Sequence, residues 1–383
     1  MSDINKKIAI IGGGPCGLTL ARLLQLKGAH VNVYERDVNE NVRVQGATLD
    51  LHEESGLEAL RRAGLIDAFY ANYRPDAGKL RIVDKHLNIK MDTHSSGDFE
   101  ENRPEIDRGP LRMIMLGSLE PGTVVWDSQF VSMAEHNGGW KLQFKNGTTA
   151  EAGLVIAADG ANSKIRPYIT SIKPVYSGIT IVEGSVYNAE KNSPKLYELV
   201  KGGKIFAFGD DQSLILSAKG DGTLSFYTGC KVEESWLRDS GIDFSNKQEV
   251  FDWFKKAFGA WDIAWQELFE SDDVSLVPRP QYHFPLDQHW TPLSTITMLG
   301  DAAHRMPPYA GEGVNMAMQD AFELAECLTS GKFSDTHAAI AAFEKQMCER
   351  ASAVTQMTLD STEMMHSGDP IASLIKVFSD LEQ

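Results

Sequence analysis

The sequence predicts an α/β protein whose parallel sheet is assembled from distant parts of the chain and interrupted by an inserted antiparallel sheet. Short apolar runs typical of buried parallel strands occur at 7–11, 154–158 and 296–299. A glycine-rich turn or a Gly/Asp pair follows each run. Between the second and third runs lie short strand-like segments that are typical of an antiparallel sheet.

The first turn has the spacing of a nucleotide-binding loop. Gly12, Gly14 and Gly17 match G-x-G-x-x-G after a strand, and a helical pattern follows at 18–26. Strand, turn and helix together direct backbone N–H groups and the positive helix end at a pyrophosphate. The next predicted strand ends at Glu35, near the spacing at which a carboxylate takes the ribose hydroxyls. An NAD-dependent dehydrogenase remains an alternative at this point.

Two later motifs favour FAD over NAD. Asp159-Gly160 ends a buried strand and opens a D-G-x-x-S-x-x-R element that closes at Arg166. We expect Asp159 to orient the backbone near the pyrophosphate. Gly300-Asp301 ends another strand, where Asp301 can accept a hydrogen bond from a ribityl hydroxyl or cap a helix. A nicotinamide dehydrogenase needs no such late segment, so the motifs in this order predict FAD.

A second glycine-rich helix start follows the Gly-Asp pair. Its N–H donors and positive helix end can lie beside the flavin ring and stabilise the negative charge of reduction. The loop and helix start that we expect near the ring comprise Pro307, Pro308, Gly311, Gly313, Val314 and Asn315. No catalytic acid–base pair is expected, because the flavin carries the chemistry. We interpret His304 as a packing or capping residue.

These segments resemble the group A flavoprotein aromatic hydroxylases of the para-hydroxybenzoate hydroxylase fold, and most closely the TetX-type tetracycline-inactivating monooxygenases. The resemblance lies in IAIIGGGP, VYERD, TLDLH, GDAAH and the PP-x-AG-x-GVN stretch. It implies an FAD-dependent monooxygenase that consumes NADPH and O2 to hydroxylate a polycyclic phenol or enol, with tetracycline inactivation and antibiotic resistance as the outcome. A hydroxylase of another aromatic compound, a non-oxygenating flavin reductase and a flavin-binding sensor are the alternatives.

The resemblance also implies individual cofactor contacts. For FAD these are Glu35, Asp50, Arg112 and Asp301. For the nicotinamide cofactor, the implied contact is Arg43. From residue type alone, either Arg108 or Arg112, on one predicted helix, could reach a phosphate or ribityl oxygen, or face solvent. Only one βαβ unit is evident, so we expect NADPH to dock on the surface, with Arg36 as a second candidate or simply an exposed strand end.

The motif positions predict a discontinuous domain organisation. The expected units are an FAD-binding domain at 1–72, 99–172 and 284–330, a substrate-binding domain at 73–98 and 173–283, and a bridging helical segment at 331–383. Aligned with TetX-type relatives, Glu183, Lys204 and Ser225 replace Gln, Arg and His, and are expected to contact substrate. Phe226 is a further candidate for the pocket wall, although such rings also form plain core.

Composition excludes several other functions. The net charge of −16 over 383 residues disfavours nucleic acid and acidic membrane surfaces as partners. No apolar run approaches the ~20 residues of a membrane span. The four cysteines are scattered without C-x-x-C, so neither a metal site nor a disulfide framework is expected. We expect a cytoplasmic monomer that binds a small aromatic molecule.

Overall fold

The structure, a computed structural model, describes residues 6–42, 46–95, 102–271 and 273–381. The described strands are β1 (Ile8–Ile11), β2 (Val31–Tyr34), β3 (Leu49–Asp50), β4 (Leu80–Asp84), β5 (Ile89–Asp92), β6 (Glu105–Ile106), β7 (Val124–Val125), β8 (Phe130–His136), β9 (Gly139–Phe144), β10 (Thr149–Ala152), β11 (Leu154–Ala157), β12 (Val175–Val186), β13 (Lys204–Gly209), β14 (Gln212–Ala218), β15 (Leu224–Lys231), β16 (Val274–His283) and β17 (Ile296–Met298). The described α-helices are α1 (Pro15–Gln25), α2 (Glu58–Arg62), α3 (Ile66–Tyr70), α4 (Arg108–Gly117), α5 (Ala189–Asn192), α6 (Pro194–Val200), α7 (Trp236–Asp239), α8 (Lys247–Ala257), α9 (Glu267–Glu270), α10 (Asp301–His304), α11 (Gly313–Thr329), α12 (Thr336–Met365) and α13 (Pro370–Leu381).

A five-stranded parallel sheet, ordered β17-β11-β1-β2-β7, forms the first layer of the fold. Every residue of β1, β11 and β17 is buried, as the apolar runs predict. The predicted α/β fold class is confirmed. Because all five strands are parallel, the loops after β1, β2, β11 and β17 leave the same edge of the sheet.

Helix α1 begins three residues earlier than the apolar pattern predicts. Gly14 precedes the helix in an extended conformation, and Pro15 occupies its first turn. Proline suits that position because its fixed φ is helical and its missing N–H would have no partner there. The apolar pattern therefore covers only part of the helix, which begins inside the glycine loop.

A seven-stranded sheet, ordered β16-β12-β15-β14-β13-β4-β5, forms the second unit. Its neighbours are antiparallel except for β13 and β4. One face is covered by α6, α8 and α9 around Phe254 and Trp265. The other face, which we call the Tyr227 face, carries Tyr227 and Ile215, and packs against the end of α12 and against α13. These strands come from residues 80–92 and 175–283, and the domain boundaries stay a prediction.

Strand β16 is absent from the sequence-based assignment. Its sequence contains Pro278 and Pro280, which cannot donate hydrogen bonds to a neighbouring strand. The strand lies at the edge of the large sheet and pairs with β12 alone, so the missing donors are tolerated. Proline argues against an internal strand, and the sequence cannot distinguish an edge position from a loop.

The C-terminal helices connect the two sheets. Helix α12 packs against α11 on the side of the parallel sheet, and its last residue, Met365, is buried on the Tyr227 face. Leu374 on α13 is buried in the same cluster. No helix among the described residues has the length and apolar character needed to cross a membrane.

Glu344 is a buried acid on α12. Its Oε1 accepts a hydrogen bond of 2.7 Å from Thr297 Oγ1 on β17, whereas Oε2 has no hydrogen-bond partner among the described residues. Burial outweighs the hydrogen bond from Thr297 and raises the pKa of the Glu344 carboxyl to about 7.

This burial predicts a stability change with pH. The folded protein holds the Glu344 proton more tightly than the unfolded chain, so its contribution is complete below the ordinary pKa of 4.5 and is lost as pH rises through about 7. A pKa raised by this much corresponds to about 3 kcal/mol. Glu344→Gln should therefore unfold at a higher temperature than wild type at pH 8, and at a similar temperature at pH 4.

Thermal unfolding followed by circular dichroism measures the difference. Glu349→Gln, which removes an exposed carboxylate from the same helix, is the control and should show no such pH-dependent gain. An equal melting temperature for Glu344→Gln and wild type at pH 8 would contradict the prediction.

Candidate FAD site and substrate face

Two glycines of the loop lie close to backbone carbonyl groups, and a third borders open space. A Cβ at Gly12 would lie 2.2 Å from the Ala158 carbonyl oxygen, and one at Gly17 would lie 2.1 Å from the Gly12 carbonyl oxygen. A Cβ at Gly14 would meet no atom within 4 Å. The first and third glycines are thus required by packing, whereas the second borders open space that can admit a ligand.

Glu35 closes the next strand of the sheet and is 3% exposed. Its Oε2 accepts a hydrogen bond of 2.6 Å from Gly13 N, and Oε1 accepts one of 3.0 Å from Asp37 N. The carboxylate is therefore held directly beside the glycine loop. Arg36 is exposed next to it, whereas Arg43 lies outside the described residues.

Arg112 on α4 is buried. The sequence had left open whether this side chain faces solvent or a ligand. Its Nη2 donates a hydrogen bond of 3.1 Å to Asp37 Oδ2, and the guanidinium lies over the Trp126 ring. Nε and Nη1 have no partner among the described residues. Arg108, one helical turn earlier, is exposed, and its Nε donates to the Ala47 carbonyl oxygen at 3.0 Å. The structure thus leaves donors of Arg112 for a ligand.

The Asp159-Gly160 turn follows β11 at the same edge. Asp159 Oδ2 accepts a hydrogen bond of 2.8 Å from Lys164 N, while Oδ1 is buried without a partner in the described chain. A Cβ at Gly160 would meet no atom within 4 Å. Arg166 Nη1 donates to the carbonyl oxygens of Ala302 and Ala303 at 3.0 and 2.9 Å. The middle motif therefore supports the backbone of the late Gly-Asp segment.

Asp320 on α11 holds that late segment from the other side. It is fully buried and accepts a hydrogen bond of 2.8 Å from Gly300 N. His304 Nε2 lies 2.6 Å from its Oδ2, and Arg350 Nη2 donates to its Oδ1 at 2.6 Å. Burial lowers the pKa of His304, but Asp320 outweighs it and raises that pKa. His304 is thus a hydrogen-bonded partner of Asp320, beyond the packing or capping role expected.

Asp301 follows Gly300 as the first residue of α10. It is exposed, and no hydrogen bond or ion pair of its carboxylate occurs among the described residues. Gly300 precedes the helix as its cap, so the structure does not show the alternative role of Asp301 as the N-cap. The carboxylate is held at the edge of the sheet and is available to a ligand.

The start of α11 is tied to the segment around Asp50. Asn315 Nδ2 donates a hydrogen bond of 2.9 Å to the Asp50 carbonyl oxygen, and its Oδ1 accepts one of 2.9 Å from His52 N. Val314 packs against the main core. The loop before α11 includes buried Pro307, exposed Pro308, and Gly311 and Gly313. Asn315 is fully buried by these contacts, so its side chain serves positioning.

Asp50 and His52 belong to a cluster of interacting side chains that the sequence indicates only in part. His52 Nε2 lies 3.1 Å from Asp50 Oδ2, and its Nδ1 lies 3.5 Å from Glu312 Oε2. Burial raises the pKa of Asp50, but the hydrogen bond with His52 and the charge of Lys204 lower it to about 2. His52 stands in the TLDLH run, yet nothing in that run indicates its pairing with Glu312.

Lys204 joins this cluster to the large sheet. Its Nζ forms an ion pair with Glu105 Oε1, and Glu105 is 1% exposed. Burial opposes the charge, but Glu105 and Asp50 raise the pKa of Lys204. Glu183 pairs with Arg279 on the same face of the sheet. Ser225 is 1% exposed, and its Oγ has no partner among the described residues.

The position of Phe226 contradicts the prediction that this residue lines the substrate pocket. Side chains alternate between the faces of a strand, so Phe226 points away from the Tyr227 face. Its ring covers Gly184, packs 5.2 Å from the Phe269 ring and is fully buried under the helices. A direct substrate contact by Phe226 is therefore wrong, and Tyr227 occupies the neighbouring position on the other face.

Sequence reasoning also missed a buried contact between the loop before α11, β14 and the end of α12. Ser213 Oγ lies 2.9 Å from His366 Nε2, and the rings of Tyr309 and His366 meet edge to face at 4.9 Å. A Cβ at Gly229 would lie within 2.4 Å of all three side chains. A glycine in a strand interior is the only sequence signal for this contact.

The residues at the sheet edge fit an FAD molecule. The open spaces at Gly14 and Gly160 suit a backbone approach to phosphate, and the unpartnered nitrogens of Arg112 suit an anion. Asp301 supplies a free acceptor for hydroxyl groups. No cluster of His, Cys, Asp or Glu with metal-binding geometry occurs among the described residues. The donor set therefore suits a dinucleotide.

Comparisons with known proteins agree with this geometry. A family model described as "FAD binding domain" matches residues 5–212 and 292–358. Monooxygenase penA of Penicillium thymicola is 30% identical over 369 residues, covering 84% of each chain. The 6-hydroxynicotinate 3-monooxygenase of Pseudomonas fluorescens is 28% identical over 383 residues, covering 95% of this chain and 93% of that protein. The solved tetracycline destructase Tet(55) superposes with a TM-score of 0.77 at 20% identity, covering 99% and 96%, which shows a shared fold.

The unpartnered nitrogens of Arg112 predict a loss of FAD affinity on substitution. Arg112→Gln keeps a polar side chain but removes the charge, so the FAD dissociation constant should rise roughly 10- to 100-fold, or about 1.5–3 kcal/mol. Titration of the apoprotein with FAD, followed by flavin fluorescence, measures this. Arg61→Gln, which loses only exposed ion pairs, should bind FAD as wild type does. Unchanged affinity in a folded Arg112→Gln protein would refute the role.

Proposed function

Because this chain belongs to the FAD-binding-domain family and is an FAD-dependent aromatic monooxygenase, we propose that it hydroxylates a polycyclic phenol or enol of the tetracycline type. NADPH serves as reductant and O2 as the oxygen source, and the reaction inactivates the antibiotic. The observation that carries the proposal is the series of interactions that runs from Lys204 through Asp50 to His52. It joins the Tyr227 face of the large sheet to the glycine-rich start of α11.

FAD, when bound, supplies the redox chemistry by accepting two electrons from reduced nicotinamide and activating O2 for transfer of one oxygen atom. The glycine loop and the start of α1 hold the pyrophosphate, and Glu35 takes the ribose. Arg112 and Asp301 bind the remaining phosphate and hydroxyl oxygens. The N–H groups at Gly313 and Val314 favour negative charge at the start of α11. Buried Tyr309 and Met365 exclude water near the Tyr227 face.

NADPH has no βαβ unit of its own in the described parts of the chain, which contain a single glycine loop of this kind. We propose that it docks on the surface of the cofactor domain, with Arg43 and Arg36 meeting its phosphates. Exposure of Arg36 supports this role. The boundaries of the FAD-binding domain, at 1–72, 99–172 and 284–330, and of the substrate-binding domain, at 73–98 and 173–283, belong to the same proposal.

The tetracycline-type substrate is supported by the shared motifs and by the fold shared with a tetracycline destructase. Hydroxylation of another aromatic compound is the second candidate. The sequence relative named for 6-hydroxynicotinate, a small aromatic compound, favours it. We also propose a cytoplasmic monomer, and the four free cysteines suit a reducing compartment.

The substrate proposal is tested with the FAD-loaded protein, NADPH and ¹⁸O2. A tetracycline should accelerate NADPH oxidation and yield a product that carries one labelled oxygen by mass spectrometry. Smaller phenols and hydroxypyridines serve as comparison substrates. A labelled product from these compounds alone would replace the tetracycline assignment, and NADPH oxidation without any labelled product would contradict oxygen transfer.

The nicotinamide proposal predicts a selective kinetic defect. Arg43→Gln removes a charge that meets the NADPH phosphates, so KM for NADPH should rise about tenfold, equivalent to about 1.4 kcal/mol. The dissociation constant for FAD should not change. Arg62→Gln, on the exposed side of α2, is the matched control. A KM for NADPH equal to that of wild type would remove Arg43 from the docking site.

A further inference from the structure

The described cations that strands β12 to β16 contribute to the Tyr227 face are all paired with carboxylates. Strands β12 to β16 direct three described cationic side chains to this face, namely Lys204, Lys231 and Arg279. Lys204 pairs with Glu105 and Arg279 with Glu183, while Lys231 Nζ lies 3.1 Å from Glu363 Oε1. No cation from these strands is therefore free to receive an anionic ligand.

The pair between Lys204 and Glu105 is the hardest to open. Glu105 is 1% exposed, and Lys204 also interacts with Asp50. A ligand carboxylate that captured Lys204 would leave Glu105 as a buried charge without its partner, which is strongly unfavourable. The ligand would also approach Asp50, which is negatively charged.

Neutral hydroxyl groups lie beside this pair. Lys204 begins a row of cross-strand neighbours that continues through Ser217, Ser225, Ser185 and Ser275. The Oγ of Ser225 is buried and has no hydrogen-bond partner in the described chain. A serine hydroxyl both donates and accepts hydrogen bonds, so this row suits uncharged polar groups.

The pKa of the Tyr227 phenol reflects the charges around the middle of this face. Burial raises the pKa of the Tyr227 phenol, and the negative charges of Asp50, Glu183 and Glu105 raise it further. The positive charge of Arg108 opposes this effect without reversing it. An anion placed beside Tyr227 would meet the same three carboxylates.

We propose that the substrate is an aromatic compound with uncharged hydrogen-bonding groups, such as phenol, carboxamide or lactam, and without a carboxylate. This inference rests on the proposed function, because it takes the Tyr227 face as the substrate surface. It narrows the substrate class and separates this chain from hydroxylases of aromatic acids. Tetracyclines carry a carboxamide and no carboxylic acid, so the absence of a carboxylate does not exclude them.

A matched ligand pair tests the charge preference. The FAD-loaded protein is titrated with 3-hydroxy-2-naphthamide and with 3-hydroxy-2-naphthoate, which have the same ring system and differ in charge. Binding is measured by the change in flavin absorbance and by thermal stabilisation. We expect the amide to bind at least tenfold more tightly. Equal or tighter binding of the acid, or no binding of either ligand, overturns the proposal.

Variants show which carboxylates cause the preference for the uncharged ligand. Glu105→Gln leaves Lys204 with one carboxylate fewer, and Glu183→Gln does the same for Arg279, so each should tighten naphthoate binding at least tenfold. Glu349→Gln removes an exposed carboxylate whose partner, Lys345, is not among the cations of this face, and should leave the preference unchanged. If the first two variants fold and keep the wild-type preference, the proposal fails. Binding is read without turnover, so a failure of oxygen transfer to tetracyclines is a separate result.

Discussion

The close approach of Gly12 to the Ala158 carbonyl oxygen is the constraint on which the cofactor edge depends. At 2.2 Å from that oxygen, no side chain can occupy position 12 without moving the loop after β11. The contact joins the first glycine turn to the Asp159-Gly160 turn, although the two are far apart in sequence. Since both follow parallel strands, their N–H groups and carboxylates are presented at one edge, where α/β sheets bind ligands.

Buried charges hold the third segment in place. Arg166 binds the backbone after Asp301, while Asp320 binds Gly300 N, His304 and Arg350. Arg166, His304 and Asp320 are buried, so removal of one of these side chains would leave a buried polar or charged group without its partner. The interactions fix the position of Asp301 while leaving its carboxylate unpaired. Contacts within the protein thereby fix the backbone of this segment, and the carboxylate of Asp301 remains available to the ligand.

Much of the fold could be predicted because its signals are local. Buried parallel strands are recognisable as short apolar runs, and the glycine-rich start of α11 is visible in the sequence. The edge strand β16 could not be predicted, since its two prolines are acceptable only where no neighbour requires their N–H. The face to which Phe226 points could likewise not be predicted. The alternation of a strand fixes which residues share a face but not which face meets the ligand.

The sequence by itself determined the glycine spacings, the order of the cofactor motifs and thus the dinucleotide class, because these depend on backbone geometry within a few residues. Only the tertiary structure decided which charges neutralise one another. Glu105 and Lys204 come from different parts of the chain, as do Asp37 and Arg112. Ion pairing depends on distances and burial across the fold, and these arise only when the sheets pack together.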